Sequence, residues 1–378
     1  MIPRVWETPW RSMLVANIVI LVGVFLYKLT LPPYVPYIHL LVDYHFGFTK
    51  RALIGAMVSL FTDKVPLWLV YALAGAVWLI TAGLFVKLFR RTFGFDAEQA
   101  PLFVFMAGSP FFLKNFIYTL GHFDIFGCGV ALCLLLVPAH SVVFVLSAAL
   151  ASMILILIHH IHFLMYVPTI AVIVVLRHYL VQGLTRQNAT VGIIASVCVG
   201  ALFFAAQFYG TVKAPPAEFT AYVQGRIADP SREDLMRYTH AFSYVWYQPL
   251  FREIADTWQR MPSNLLGVPV FALLIWLHTP LWRYFTDLIA ALAIDTHRRI
   301  VMAGIIMISL AYLVMFAIVF DYSRWISNWV TCLFLILPAV KALPASRAVA
   351  PIGSRDRTNK LFGWTVTAIP RVGIVRPF

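Results

Sequence analysis

The sequence predicts an all-α, polytopic membrane bundle of about ten transmembrane helices, with both termini inside and an interfacial helix in the first outer loop. Three observations predict it. Hydrophobic residues fill 61% of the 378 positions and charged residues only 12%, against about 45–50% and about 25% in soluble domains. Long apolar runs recur along the whole chain. Lys and Arg then alternate between the segments that join those runs, as the orientation of membrane helices requires. So little charge cannot cover a water-facing surface, which excludes a secreted, cytosolic or DNA-binding globule. The net charge of +13 therefore points to membrane orientation and not to nucleic acid.

A crossing needs roughly 20 apolar residues, about 17–25 with tilt. The first run, 13–31, follows Arg4 and Arg11. It is long for a signal peptide and no small-residue cleavage site follows it, so it is expected to be a retained span. Further full-length spans are expected at 65–86, 141–158, 189–210, 263–281, 300–320 and 325–343. Shorter or interrupted ones are expected at 99–117, 123–138 and 163–177. Such segments are tolerated where neighbouring helices bury them. Two apolar stretches are too short to cross: 52–62 reads as an interfacial helix under the first outer loop, and 284–295 as one on the inner side. The four cysteines, Cys128, Cys133, Cys198 and Cys332, lie in apolar runs without metal-type spacing. They read as small buried hydrophobes.

With the N-terminus inside, 17 of the 29 Lys and Arg fall on the inner side. Six of the other 12 sit in one long loop, where the orientation bias does not apply. The outer segments are then 32–64, 118–122, 159–162, 211–262 and 321–324. Residues 1–343 form a single transmembrane domain, and 344–378 a basic cytoplasmic tail suited to anionic lipid. The segment 211–262 balances six basic residues with six acidic ones and is rich in aromatics from Tyr238 to Phe251. A connection this long is functional or disordered, and its aromatics argue against disorder.

Ionisable groups beside spans are expensive and are functional candidates by default. Four groups fall on the outer side. In VDYHFGFTKR, Asp43 precedes a turn at Gly47, and Lys50 and Arg51 open the short apolar helix. That pattern suits an acid beside an anion clamp, or an ordinary loop turn touching headgroups. In YTLGHFDIFG, His122 and Asp124 stand at the entry of the fourth span. Asp124 must face protein or water and also suits a helix cap. In HHIHF, His159 and His162 share a helical face while His160 does not. That spacing is poor for a metal, so hydrogen-bonding, proton-transfer and structural roles stay open. In FDYSRWISNW, Asp321 and Arg324 are three apart. They can pair with each other, or the Arg can grip a phosphate. No Walker loop, GxGxxG, HExxH or GxSxG occurs, so no cofactor and no metal is expected.

Together these features resemble the GT-C superfamily of membrane glycosyltransferases, which use polyprenyl-phosphate sugars, and the membrane proteins of bacterial polysaccharide assembly. The resemblance is architectural and spans most of the chain. It implies transfer of a sugar from a polyprenyl-phosphate donor to a glycan or lipid acceptor, at the outer face of a bacterial inner membrane. It makes Asp43 the general base, Lys50, Arg51 and Arg324 phosphate contacts, and His122 and Asp124 part of the sugar pocket. Loop one carries a single acid here where many members carry a pair. The segment 211–262 would shape the acceptor site. From the residues themselves, His159, His162 and Asp321 are further substrate contacts, and Tyr247 offers an apolar face to a sugar ring. Asp43, His122, Asp124 and Arg324 are expected to line one outer cavity. Two rival readings remain at this stage: a secondary transporter with an outer Asp/His site, and a non-catalytic partner in polysaccharide assembly or export.

Overall fold

The computed structural model describes residues 9–31, 33–96, 98–319 and 321–352. The basic residues expected in the tail beyond these, Arg355, Arg357, Lys360, Arg371 and Arg376, lie outside the described residues. All regular structure among the described residues is helical. Five helices are long and apolar enough to cross a membrane, or six if one bent pair counts as a single span.

The chain opens with α1 (Pro9–Leu29), an apolar helix with Lys28 in its last turn. Two short helices follow, α2 (Tyr34–Leu41) and α3 (Leu53–Ser59). The second is the short helix expected over 52–62. The two pack closely because residue 55 is glycine: a Cβ there would collide with the backbone carbonyl of Val42. Next comes α4 (Leu67–Thr92), a full-length apolar helix that ends on Arg90 and Arg91.

The run 99–117 is not one helix. It breaks at Gly108–Phe112 into α5 (Ala100–Ala107) and α6 (Leu113–Tyr118). Pro110 lacks the N–H that a continuing helix needs. Instead, Ser109 Oγ accepts the Phe111 N–H, and Lys114 Nζ donates to the Gly108 carbonyl at 2.6 Å. The next helices are α7 (Asp124–Leu136) and α8 (Val142–Ile158). The run 163–177 is also interrupted. It comprises α9 (His162–Met165), α10 (Val167–Val174) with Pro168 in its first turn, a π turn over Val175–Tyr179, and α11 (Leu180–Gln182). Then comes α12 (Arg186–Tyr209), capped by Thr185.

The segment 211–262 is folded. It carries α13 (Pro216–Gly225), α14 (Glu233–Phe242) and a 3₁₀ turn (Ser243–Trp246), and it runs into α15 (Leu250–Leu265). The continuous span expected over 263–281 is replaced by a bend of 76° between α15 and α16 (Val268–Leu277). Pro262, Gly267 and Pro269 punctuate that stretch. A further correction concerns 284–295. Its helix, α17 (Thr279–Ala290), starts earlier and ends earlier, and buries Leu281, Tyr284, Phe285, Leu288 and Ile289. These positions fall on one helical stripe, and that stripe packs on the remaining helices, α18 (Asp295–Ile318) and α19 (Tyr322–Lys341).

At the centre is α19, contacted by α7, α10, α16, α17 and α18. It is 78% buried over its apolar window, whereas the same measure for α1 is 0%. That contrast explains its lower hydropathy: Asn328 and Thr331 are buried on it against protein and not lipid. Of the cysteines, Cys128 and Cys332 are buried as expected, while Cys133 and Cys198 are exposed on helix surfaces.

The segments expected on the inner side meet at one end of the bundle. Arg91 donates to the Leu136 carbonyl at 2.7 Å, and Arg177 donates to the Leu134 and Val137 carbonyls. Two cations from different helices thus satisfy the open C-terminus of α7, where the helix dipole favours positive charge. Ala293 donates to Pro344, and Ser346 to Ala291.

Candidate functional site

The opposite end holds a cavity of about 380 Å³. All five segments expected on the outer side, together with the helix ends they join, line it. The first gives His39 and Arg51, the second His122, and the third His159. The fourth gives Tyr244, Trp246, Glu253, Asp256 and Arg260, and the fifth Asp321 and Arg324.

Local structure presents each group. On α2, Val35, Ile38 and His39 are spaced three and four apart and share the cavity face. On α15, Glu253, Asp256, Thr257 and Arg260 do the same over two turns. Arg51 is reached differently. It is the non-glycine residue with positive φ among the described residues, at 63°. That conformation is costly for a long side chain, and the surroundings over-determine it. The preceding Lys50 N–H donates to the Gly210 carbonyl at 2.8 Å, and Trp246 Nε1 donates to the Lys50 carbonyl at 3.1 Å. The result turns Arg51 into the cavity, where its Nε is buried with no hydrogen-bond partner.

Arg324 is held from behind. Its Nε lies 2.7 Å from Asp124 Oδ2, and its Nη2 is 3.4 Å from Asp124 Oδ1. The Nε contact is ionic but off the N–H direction, so that N–H makes no aligned hydrogen bond. Nη1 is 3.3 Å from His122 Nδ1 and 3.5 Å from Asp321 Oδ2. The guanidinium lies 4.2 Å from the centre of the Trp325 ring. Asp124 is fully buried and also accepts from Asn328 Nδ2 at 3.2 Å, while Tyr166 donates to Asn328 Oδ1 at 2.7 Å. Asp124 therefore does not cap α7 with its side chain. It anchors Arg324 beneath the cavity floor.

The histidines are neutral. Burial, and then the charge of Arg51, push His39 down to about 3. Burial, and then Arg324, hold His122 well below the usual imidazole range, and burial followed by Arg51 does the same to His159. The cavity's positive charge thus comes from arginines, and the imidazoles supply neutral hydrogen-bonding groups. His39 Nε2 is buried without a partner, while its Nδ1 contacts the Val35 carbonyl at 2.8 Å. Among the described residues, no group of three or more His, Cys, Asp or Glu could hold a metal ion.

Four expected site residues lie elsewhere. Asp43 does not line the cavity, so the expected convergence of four residues is corrected to His122 and Arg324, with Asp124 behind them. Asp43 accepts from Tyr222 Oη at 2.8 and 3.0 Å and pairs with Arg226 at 2.8 Å. Lys50 is spent on Glu253 at 3.1 Å and the Gln248 carbonyl at 2.9 Å, with its side chain 1% exposed. His162 is fully buried with Nε2 3.2 Å from the Phe123 carbonyl. The Tyr247 hydroxyl donates to the Ala214 carbonyl at 2.7 Å. Conversely, the sequence reading passed over His39, Glu253, Asp256 and Arg260. Their signal was present as i, i+3, i+4, i+7 spacing in the stretch from Glu253 to Arg260.

No known protein family matches the chain, and no curated protein or solved structure matches it.

Proposed function

We propose that the protein is a membrane glycosyltransferase-like enzyme of the outer face of a bacterial inner membrane. It takes a sugar from a polyprenyl-phosphate donor and passes it to a glycan or lipid acceptor. The observation that carries this reading is the meeting of Arg51, Arg260 and Arg324, from three separate segments, in one cavity. A buried guanidinium N–H without a partner is costly, and Arg51 Nε is one. An anionic group entering the cavity satisfies it. Planar guanidinium forks suit phosphate oxygens. Trp246 and Tyr244 give a sugar ring apolar faces to pack on, and the lining carboxylates Asp256 and Asp321 are within the same cavity for an acceptor hydroxyl.

The proposed topology has ten crossings with both termini inside. The five long helices are joined by the bent pair, by α5 with α6, by α7, by α8, and by α10 through α11. Short or broken crossings are admissible here because protein surrounds them. Reporter fusions at Gly94 and Gln187 should read cytoplasmic and a fusion at Gly225 external. A cytoplasmic reading at Gly225 would place the cavity on the wrong side.

The direct test is binding. Purified protein in nanodiscs should bind a short-chain prenyl phosphate and, with a glycosylated donor and membrane extract as acceptor source, consume the donor. Arg51→Gln should weaken prenyl-phosphate binding about 10- to 100-fold, the equivalent of the roughly 1.5–3 kcal/mol of a hydrogen bond to a charged group. Glutamine at position 51 meets the same backbone strain as arginine, so the comparison isolates the guanidinium. No binding to wild type, or equal binding to Arg51→Gln, would remove the phosphate role. A transporter would instead show pH-dependent uptake with no donor consumed.

A further inference from the structure

A second, larger space lies along the apolar helices. It is a groove of about 590 Å³ between α4, α7 and α8. That size is within the range of about 300–1,000 Å³ typical of small-molecule sites. Gly129 keeps its floor open, since a Cβ there would meet only Thr81 Oγ1 at 3.5 Å. Its rim faces outward: Ile80 is 62% and Val143 65% exposed.

The groove and the polar cavity are neighbours. A small void of about 10 Å³ lies between them. It shares Val77, Ile125 and Phe126 with the groove, and His122 and Phe123 with the cavity. The partition is therefore two phenyl rings, Phe123 and Phe126, whose centres are 5.9 Å apart at a steep angle. A cationic chamber at one end and an apolar trough at the other, joined through a wall of two side chains, match an amphiphile with an anionic head.

We propose that the α4–α7–α8 groove holds the hydrocarbon tail of the same prenyl-phosphate donor whose phosphate enters the arginine-lined cavity. The inference rests on the reading of that cavity as a phosphate site. Phe123 and Phe126 turn aside to let the chain pass between the two spaces. The head must supply the selectivity. A tail already surrounded by lipid gains no hydrophobic stabilisation on entering an apolar groove, so the groove alone cannot distinguish this lipid from its neighbours.

The experiment therefore reads location. Full-length protein in vesicles is irradiated with a long-chain prenyl phosphate carrying a photoreactive diazirine on its tail. Cross-linked peptides are then mapped. Adducts are expected on residues 77–84 and 125–151, and excess short-chain prenyl phosphate should abolish them. The matching prenyl alcohol should label lipid-facing helices without preference. Ser147→Trp, at an exposed position on α8, should reduce groove adducts about tenfold while leaving short-chain prenyl phosphate binding intact. Ala151→Phe, one turn further along α8, should do the same. Retained binding shows that each variant is folded.

Adducts that the short-chain competitor displaces but that map outside the groove would overturn the groove and leave the phosphate site standing. Groove adducts given equally by the alcohol would mean ordinary bilayer lipid in the trough, and would also overturn the proposal. If the phosphate and alcohol probes label alike and the competitor has no effect anywhere, the phosphate reading fails and the groove assignment falls with it.

Discussion

Arg324→Lys is expected to lower donor turnover about 10²–10³-fold, the range that follows loss of one preorganised electrostatic contact in an active site. The guanidinium does two things at once. Nε and Nη2 face Asp124, while Nη1 reaches His122 and Asp321 at the cavity wall. A lysine ammonium is a single point of charge. It can stay with Asp124 or reach the cavity, but not both. Its charge still neutralises Asp124, so the fold is retained. Arg324→Ala is a poorer test, because it leaves a fully buried carboxylate unpaired, and breaking such a pair costs about 3–5 kcal/mol. Turnover of the donor and thermal unfolding should be measured side by side. Wild-type turnover in Arg324→Lys would show that this arginine is only a strut.

The second large effect concerns Asp43. Asp43→Ala is expected to destabilise the outer end of the protein by about 3–5 kcal/mol, because it strands a buried guanidinium. The Asp43 and Arg226 side chains are 10% and 6% exposed and lie 2.8 Å apart. Arg226 also donates to the Leu41 carbonyl at 2.8 Å. The same seam carries the Val65–Ile227 backbone bridge and the hydrogen bond from Lys64 to the Gly225 carbonyl. Asp43 therefore fastens the first outer segment to α13.

The double variant Asp43→Leu with Arg226→Met separates this clamp from a catalytic base. Replacing a buried ion pair with apolar residues of similar volume is often neutral or stabilising. The double variant should thus recover thermal stability in nanodiscs, and donor turnover with it. If stability returns but turnover stays absent, the carboxylate has a chemical role and the clamp account is incomplete.

Both cases show where sequence reasoning reaches and where it stops. Asp43 and Asp124 look alike in sequence: each is a lone carboxylate near a span, in a stretch with His and Gly. Their partners, Arg226 and Arg324, lie 183 and 200 positions away. One pair became a clamp and the other the floor of a cavity. Nothing local to either acid distinguishes them. The same holds for Lys50 and Arg51. Adjacent in sequence, they part because a positive φ at Arg51 sends one side chain to Glu253 and the other into the cavity.

What the sequence determined by itself is the helical, membrane-type character of the chain, and which segments share an end of the bundle. Apolar run length is a local property set by the bilayer as solvent, and the placement of Lys and Arg is read segment by segment. Residues from all five segments expected outside do line one cavity. The tertiary structure alone decided where helices break, which acid meets which arginine, and that the amphipathic face of α15 closes the cavity. Those outcomes depend on packing between distant segments, and a buried charge is positioned by whichever partner the fold brings within reach.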